Sequence, residues 1–264
     1  MPYADVNGQH LYYEDTGGSG PAVVFSHGLM MDHDMFAPQV AAFRDQYRCI
    51  TWDERGHGET AGDELTPFSY YDSADDLAAL LGYLGVEQAV LVGMSQGGFL
   101  SLRCALTHPE VVKALVMIDS QAGPELEEKV PAYQQMIETF ISQGLTRELG
   151  DTIAYIILGQ NFPDAEFWKA KWRGFKPVNI AGNFQTLAGR DDITDRLPEI
   201  HKPTLILHGD ADVAIPMERA EVMASKLPDA RLVVVPGAGH AANLSHPEPV
   251  NEALRAFLKA QTGH

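Results

Sequence analysis

A serine with glycines two positions away on either side is the residue in this chain best suited to act as a nucleophile. Residues 93–97 are Gly-Met-Ser-Gln-Gly, and they follow the apolar run 89–92 and open a helix-like stretch. This strand–turn–helix pattern predicts a sharp turn that exposes the Ser95 hydroxyl at a helix N-terminus. Backbone N–H groups and the helix dipole favour negative charge there. The position therefore suits a nucleophile whose attack creates an oxyanion.

A serine hydroxyl is a weak nucleophile at neutral pH, so it needs a histidine base that a carboxylate orients. Among the ten histidines, His240 is the predicted base because it lies in a Gly-rich loop after the late apolar run 231–235. Asp212 is the preferred acid because it lies in the loop that follows the apolar run 204–209. Asp119, at the end of an earlier apolar run, is the alternative acid.

Together these motifs resemble those of the α/β-hydrolases, in particular the compact bacterial esterases, haloperoxidases and lactonases. The chain order serine, aspartate, histidine is the order of that family. The resemblance extends from about residue 8 to the C-terminus. Five segments carry it: 26–29 (Ser-His-Gly-Leu), 53–58 (Asp-Glu-Arg-Gly-His-Gly), 93–98 (Gly-Met-Ser-Gln-Gly-Gly), 208–212 (His-Gly-Asp-Ala-Asp) and 237–240 (Gly-Ala-Gly-His).

The resemblance implies an oxyanion hole made of two backbone N–H groups, those of Leu29 and Gln96. Gln96 directly follows the nucleophile, and Leu29 follows the His-Gly pair in the loop after an apolar strand. A single donor already directed at the oxyanion can stabilise the transition state by roughly 2.7–4 kcal/mol. The serine at position 95 argues against haloalkane dehalogenases and epoxide hydrolases, which carry an aspartate nucleophile there.

The apolar runs predict an α/β protein with a doubly wound, mostly parallel sheet, which is the α/β-hydrolase fold. Continuous apolar runs are typical of parallel strands that are buried on both faces. A hairpin is expected over residues 3–15, with Asn7 and Gly8 as its turn. The predicted strands are residues 22–26, 48–52, 89–94, 112–118, 204–209 and 231–235, and the predicted helices are 36–45, 70–84, 97–107, 217–227 and 246–261.

Strand–helix alternation stops in the middle of the chain, where only helical periodicity is found. We expect residues 1–120 and 198–264 to form the α/β-hydrolase core, with residues 121–197 inserted as a helical cap. The cap is rich in aromatic side chains, which predicts an apolar roof over Ser95.

One cap helix carries aromatic residues and cations on neighbouring faces. Trp168, Trp172 and Phe175 recur at helical spacing on one face. Met30, Trp168 and Trp172 are predicted to line the substrate pocket. The face about 100° round the helix carries three cations that we expect to point to water: Lys169, Arg173 and Lys176.

Composition and charge limit the partners, location and cofactors that we expect for this chain. The 264 residues include 36 Asp and Glu against 19 Lys and Arg, which gives a net charge of −17. This charge argues against binding to nucleic acids or anionic membranes. The chain shows no apolar run of about 18 residues, no signal peptide and only two cysteines, so a cytoplasmic location is expected. No metal or dinucleotide signature is present, so no metal or cofactor is expected, and a homo-oligomer is compatible with the sequence.

These features predict a carboxylic-ester hydrolase that needs no cofactor and acts on small apolar or aromatic esters through an acyl-enzyme. The same triad leaves a lactonase or enol-lactonase, a C–C bond hydrolase and a perhydrolase open. Residues 189–197 resemble the 3-oxoadipate enol-lactonase group, although residues 26–29 depart from its usual Asn-Ser-Leu-Gly. A non-catalytic receptor is the alternative from another class, and it would bind its ligand with little turnover. The expected partner is a small-molecule ester or lactone.

Overall fold

Eight β-strands form one sheet in the computed structural model, which describes residues 2–60, 62 and 65–263. The six strands predicted after the hairpin are confirmed, with bounds that agree to within one residue. The hairpin turns at Asn7 and Gly8, which both have positive φ angles, 48° and 73°. The strands are β1 (Tyr3–Val6), β2 (Gln9–Asp15), β3 (Ala22–Ser26), β4 (Arg48–Trp52), β5 (Ala89–Met94), β6 (Val112–Ile118), β7 (Thr204–Gly209) and β8 (Ala230–Val235).

The sheet is mostly parallel and doubly wound. Its strand order is β1-β2-β4-β3-β5-β6-β7-β8. The β1–β2 hairpin is antiparallel, and β2 also pairs antiparallel with β4. All other neighbours are parallel. Because β3 lies between β4 and β5, the chain winds outward in both directions from the centre, and the loops after the parallel strands meet at one edge of the sheet.

Ten α-helices accompany the sheet in the described part of the chain. The five helices that the sequence predicted begin and end within two residues of their predicted bounds. The helices are α1 (Ala37–Phe43), α2 (Tyr70–Tyr83), α3 (Gln96–Thr107), α4 (Val130–Gln143), α5 (Arg147–Leu158), α6 (Ala165–Arg173), α7 (Pro177–Ala188), α8 (Met217–Lys226), α9 (Ala242–Ser245) and α10 (Pro247–Thr262).

Both faces of the sheet are buried, as continuous apolar strands require. On β3, Val23 and Phe25 face one apolar core, and Val24 between them faces the other. Helices α1 and α10 pack into the first core, whereas α2, α3 and α8 pack into the second. Each apolar side chain buried in this way stabilises the fold by roughly 1.5–3 kcal/mol.

Helices α4 to α7 are inserted between β6 and β7, within the residues where the sequence predicted a helical insertion. Helix α5 begins after Thr146, whose hydroxyl accepts a hydrogen bond from the Leu149 amide at 3.2 Å. Helices α4 and α5 contact each other, and α4 also contacts α7. No helix of the described residues combines the length and apolar character that crossing a bilayer would need.

Candidate active site

Ser95 lies on a strained turn between β5 and α3. Its φ of 49° and ψ of −114° are rare for a residue with a side chain. A Cβ at Gly93 would overlap the backbone of Gly97, and a Cβ at Gly97 would overlap the backbone of Ser26, so the turn needs glycine at both positions. The Ser95 amide donates to the Ile118 carbonyl at 2.8 Å. The turn therefore holds the Ser95 hydroxyl at the carboxyl end of the sheet.

The structure brings Ser95, His240 and Asp212 together at that edge. The Ser95 hydroxyl lies 3.0 Å from His240 Nε2, and His240 Nδ1 lies 2.8 Å from Asp212 Oδ2. The other Asp212 oxygen accepts hydrogen bonds from the amides of Ala214 and Ile215, at 2.8 and 3.0 Å. These amides hold the carboxylate so that it orients the imidazole. This arrangement has the contacts that a nucleophile, a base and an orienting acid would need.

The electrostatics of this group suit a base that gains a proton during the reaction. Burial lowers the pKa of His240, but the charge and hydrogen bond of Asp212 outweigh it, so the pKa is raised above its ordinary value. Burial raises the pKa of Asp212, but the charge and hydrogen bond of His240 and the hydrogen bond from the Ile215 amide outweigh it, so the pKa of Asp212 is lowered. Asp212 therefore stays ionised and stabilises the imidazolium form of His240.

Asp119, the alternative acid, is buried next to the triad but bonds to the backbone. Its two carboxylate oxygens accept hydrogen bonds from the amides of Gly209 and Ala242, at 2.8 and 3.0 Å. Burial and the nearby charge of Asp212 raise its pKa well above the usual range. Asp119 therefore ties the end of β7 to the start of α9, and Asp212 is the carboxylate that contacts His240.

The predicted oxyanion donors are the backbone amides of Leu29, which lines the same cavity as Ser95, and of Gln96, which directly follows Ser95. In the part of the chain that the structure describes, neither N–H group donates a hydrogen bond to another residue. Gln96 is the first residue of α3, where amides lack intrahelical acceptors. Its side chain is held at both ends, because its Nε2 donates to Glu54 Oε2 and its Oε1 accepts from the Tyr70 hydroxyl. The two amides are thus available to a negatively charged oxygen near Ser95.

A buried histidine fixes the start of the loop that carries Leu29. His27 Nδ1 donates to the Gly28 carbonyl at 2.8 Å, and its Nε2 accepts from the Glu54 amide at 3.0 Å. Burial lowers the pKa of His27, so the ring is neutral and Nε2 can accept. His27 is therefore a structural residue that joins the loops after β3 and β4.

Helix α6 holds the next part of the same loop. The indole Nε1 of Trp172 donates to the Met30 carbonyl at 2.8 Å, and Met30 itself has a positive φ of 62°. Lys171 Nζ donates to carboxylate oxygens of Asp32 and Asp34, both at 2.6 Å. The inserted helices are thus attached to the loop that carries the predicted oxyanion donor.

A cavity opens over Ser95, beneath the inserted helices, with an empty volume of ≈ 870 Å³ that includes solvent at its mouth. Met30 is among the residues that line it. The prediction that Trp168 and Trp172 line the pocket is wrong, because neither is among the described lining residues and both are buried in the core behind. Side chains of α4, α5 and α7 form the apolar wall instead: Met136, Ile137, Phe140, Ile153, Ile156, Ile157, Phe184 and Leu187.

Besides Ser95 and His240, the described residues place two polar side chains in this wall, Glu125 and Tyr133. Glu125 pairs with Arg190, whose Nη1 lies 3.3 Å from Glu125 Oε2. Sequence reasoning missed Glu125 because it lies in an acidic stretch, 125–128, that is typical of a solvated loop. No local pattern distinguishes it from its neighbours.

One group of side chains has metal-ligand spacing. Asp119, His208 and Asp212 bring possible ligand atoms within 4.8 Å of one another. Each of the three already has a protein partner: the aspartates accept the hydrogen bonds described above, and His208 Nε2 donates to the Ile215 carbonyl at 2.9 Å. These hydrogen bonds give the three side chains a structural role beside Ser95 and His240.

The mostly parallel sheet and the strand–serine–helix turn define an α/β-hydrolase. Residues 21–247 match the family described as the alpha/beta hydrolase fold. The chain belongs to this family and is a hydrolase of that class, which confirms the resemblance seen in the sequence.

Similar proteins of the family are hydrolases with different substrates. The chain is 30% identical over 261 residues to a 2-(acetamidomethylene)succinate hydrolase of Mesorhizobium japonicum, covering 92% of this chain and 90% of the relative. It is 28% identical over 247 residues to 3-oxoadipate enol-lactonase 1 of Acinetobacter baylyi, with 92% and 90% covered. The structure of a thermophilic esterase from Thermogutta terrifontis is similar with a TM-score of 0.87 and 30% identity, covering 96% of this chain and 94% of the esterase.

Proposed function

We propose that this protein is a carboxylic-ester hydrolase that works without a cofactor, through an acyl-enzyme on Ser95. The observation that carries the proposal is the hydrogen-bond chain from the Ser95 hydroxyl through His240 to Asp212, with distances of 3.0 and 2.8 Å. His240 Nε2 accepts the serine proton, and Asp212 holds the Nδ1–H tautomer that this transfer requires.

In acylation, Ser95 Oγ attacks the ester carbonyl carbon while its proton moves to His240. The carbonyl oxygen becomes an oxyanion, and the amides of Leu29 and Gln96 are the donors that we assign to it. One such donor contributes roughly 2.7–4 kcal/mol of transition-state stabilisation. Collapse of the intermediate breaks the ester C–O bond, and the leaving alkoxide takes the proton from His240.

Deacylation repeats the same steps with water as the nucleophile. His240 removes a proton from a water molecule that attacks the acyl carbonyl, and the same two amides bind the second oxyanion. The bond to Ser95 Oγ then breaks, and the serine regains its proton from His240. The acid product leaves and the free enzyme is restored.

The cavity wall supports small, uncharged substrates. The described lining residues include no lysine or arginine that could pair with a substrate carboxylate, and Glu125 places a carboxylate in the wall. A buried charge without a partner costs several kcal/mol, whereas one apolar contact is worth roughly 1–3 kcal/mol. Neutral alkyl or aryl esters are therefore the proposed substrates.

A neutral lactone is the second candidate substrate. A lactone is a cyclic ester, so the same attack opens its ring, and the similar protein of Acinetobacter baylyi is named as an enol-lactonase. The lack of a cation among the described lining residues disfavours lactones that carry carboxylates. In a lactonase of this kind the leaving alkoxide stays attached to the acyl group.

The proposal is tested by turnover and by covalent labelling. We expect hydrolysis of neutral p-nitrophenyl esters, aryl esters or lactones, and labelling of Ser95 by an organophosphonate, located by peptide mass spectrometry. Ser95→Ala should lose labelling and about 10³-fold or more in kcat. Ser101→Ala is the matched control, because Ser101 lies on α3, the helix that follows Ser95, is buried and donates to the Gly97 carbonyl. Labelling that persists in Ser95→Ala would reject the assignment, and tight ligand binding without turnover would favour a receptor.

A further inference from the structure

A polar pair interrupts the otherwise apolar upper wall of the cavity. Glu125 lies in the segment after β6 and Tyr133 lies on α4, and both line the cavity that also contains Ser95 and His240. Glu125 is close enough to the site for its charge to help raise the pKa of His240. A buried carboxylate in an apolar wall costs free energy unless polar groups bind to it. A ligand group that forms hydrogen bonds with Glu125 and Tyr133 would offset this cost.

Arg190 holds Glu125 from behind. Its Nη1 and Nη2 lie 3.3 and 3.4 Å from Glu125 Oε2, and the two side chains are only 1% and 8% exposed. Arg190 also donates to the backbone, from Nε to the Gly123 carbonyl and from Nη1 to the Leu187 carbonyl. Its guanidinium also lies 4.3 Å from the centre of the Phe99 ring. Arg190 therefore neutralises Glu125 without itself lining the cavity.

The carboxylate keeps capacity to accept further hydrogen bonds. Among the described residues, Glu125 Oε1 accepts only one bond, at 3.3 Å, from the amide of Leu126. A carboxylate has about four acceptor positions, and the contacts to Arg190 are long. Glu125 thus presents an acceptor with room for a donor from the cavity.

Tyr133 supplies the complementary donor. Burial, helped by the charges of Glu125 and Asp212, raises its pKa to about 12, so the phenol keeps its proton. Its hydroxyl has no hydrogen-bond partner within the described ranges. A group that occupies the cavity can therefore donate to Glu125 and accept from Tyr133.

We propose that Glu125 and Tyr133 recognise a neutral hydroxyl or amide group on the substrate, so that the enzyme prefers hydroxy- or acylamino-substituted esters. This proposal rests on the ester hydrolase function proposed above. A hydroxyl, or an amide through its N–H and C=O, can both donate and accept. A substrate carboxylate would be repelled by the negative charge of Glu125. A substrate ammonium group would lose its hydration without gaining a counter-ion, because Arg190 already neutralises Glu125.

The test compares hydroxy esters, which carry a donor proton, with methoxy esters, in which a methyl group replaces that proton. One series carries a hydroxyl that is moved one carbon at a time along the acyl chain, and the other carries a methoxy group at the same positions. At the best position, kcat/KM for the hydroxy ester should exceed that for the methoxy ester by about 10-fold or more, as expected for a hydrogen bond to a charged group. A ratio near one at every position would overturn the proposal.

Variants of Glu125 and Tyr133 test whether these two residues recognise the substrate hydroxyl. Tyr133→Phe should lower kcat/KM for both the hydroxy and the methoxy ester by about 3-fold or more, because both oxygens lose the hydrogen bond that the phenol donates. Glu125→Met alone would leave Arg190 buried and unpaired, so the double variant Glu125→Met with Arg190→Met is used, and its hydroxy-to-methoxy ratio should approach one. Glu127→Gln, exposed on the same segment, is the matched control and should keep the wild-type ratio. A high ratio that persists in the double variant would contradict the role of Glu125.

A binding experiment separates this proposal from the proposed function. Hydroxyalkyl and methoxyalkyl amides of matched length are titrated into Ser95→Ala by calorimetry, which requires no turnover. The hydroxyalkyl amide should bind about 10-fold more tightly. Equal binding would reject the recognition site while leaving ester hydrolysis by the wild type intact. Selective binding with no ester turnover or Ser95 labelling would instead reject the hydrolase assignment and keep the recognition site.

Discussion

The indole Nε1 of Trp172 donates a 2.8 Å hydrogen bond to the carbonyl oxygen of Met30. Met30 directly follows Leu29, whose amide is a proposed oxyanion donor, and it holds a positive φ of 62°. The bond joins α6 to the loop after β3 over a large separation in sequence. Trp172 therefore holds the loop that carries this proposed donor, although it is not among the described residues that line the cavity.

Trp172→Phe should impair catalysis more than substrate binding. The substitution removes the indole donor and leaves the Met30 carbonyl buried without its partner, which costs about 1–3 kcal/mol. We expect kcat for a neutral ester to fall by about 10-fold with little change in KM. Steady-state kinetics measure this split. Trp168→Phe on the same helix is the control, and an equal loss in kcat there would show that only packing is involved.

The two buried carboxylates should respond differently to amide substitution. Asp212→Asn removes the partner that fixes the His240 tautomer, so kcat should fall by roughly 10⁴-fold with the fold retained. Asp119→Asn should act mainly on stability, because it places an amide N–H₂ against the backbone amides of Gly209 and Ala242. Kinetics and thermal unfolding of both variants make the comparison. A greater loss of kcat in Asp119→Asn would move the acid to the end of β6.

The pH dependence of kcat/KM should report a raised histidine pKa. His240 must be neutral to act as a base, so activity falls as pH drops through its pKa. Burial lowers the pKa of His240, but the effect of Asp212 is larger and raises it overall. The midpoint should therefore lie above the ordinary value of about 6.5. Asp212→Asn should shift the midpoint of its residual activity to lower pH. A flat wild-type profile between about pH 5 and pH 8 would contradict a histidine base.

Glu54 should make the protein less stable as the pH rises. Burial raises its pKa from an ordinary 4.5 to about 8, despite hydrogen bonds from Ser73 and Gln96. Between these values the folded protein keeps a proton that the unfolded chain has released, so the free energy of unfolding decreases with pH across this window. Urea unfolding at several pH values should show a shallower decrease in Glu54→Gln. Glu221→Gln, exposed on α8, should keep the wild-type slope, and identical slopes in all three proteins would refute the assignment.

Sequence determined the features that depend on neighbouring residues. Strands β3 and β4 have the bounds that their apolar runs predicted, because continuous burial selects apolar residues over the length of a strand. The turn at Ser95 was predictable because its glycines are needed for local reasons, the close approach of backbone at Gly93 and Gly97. The candidate nucleophile, base and acid were also found from local sequence, since each lies in the turn or loop that follows an apolar strand.

Only the tertiary structure decided between residues with the same local pattern. Asp119 and Asp212 both follow strands, and the direction of each carboxylate depends on loops that meet in space. Trp168 and Trp172 have the spacing of a buried helix face, but periodicity does not predict which element packs against that face. In the structure, Trp172 contacts the loop after β3 and is not among the described residues that line the cavity. Glu125 looks like its exposed neighbours until Arg190, distant in sequence, packs against it. These choices depend on long-range contacts, which local spacing does not encode.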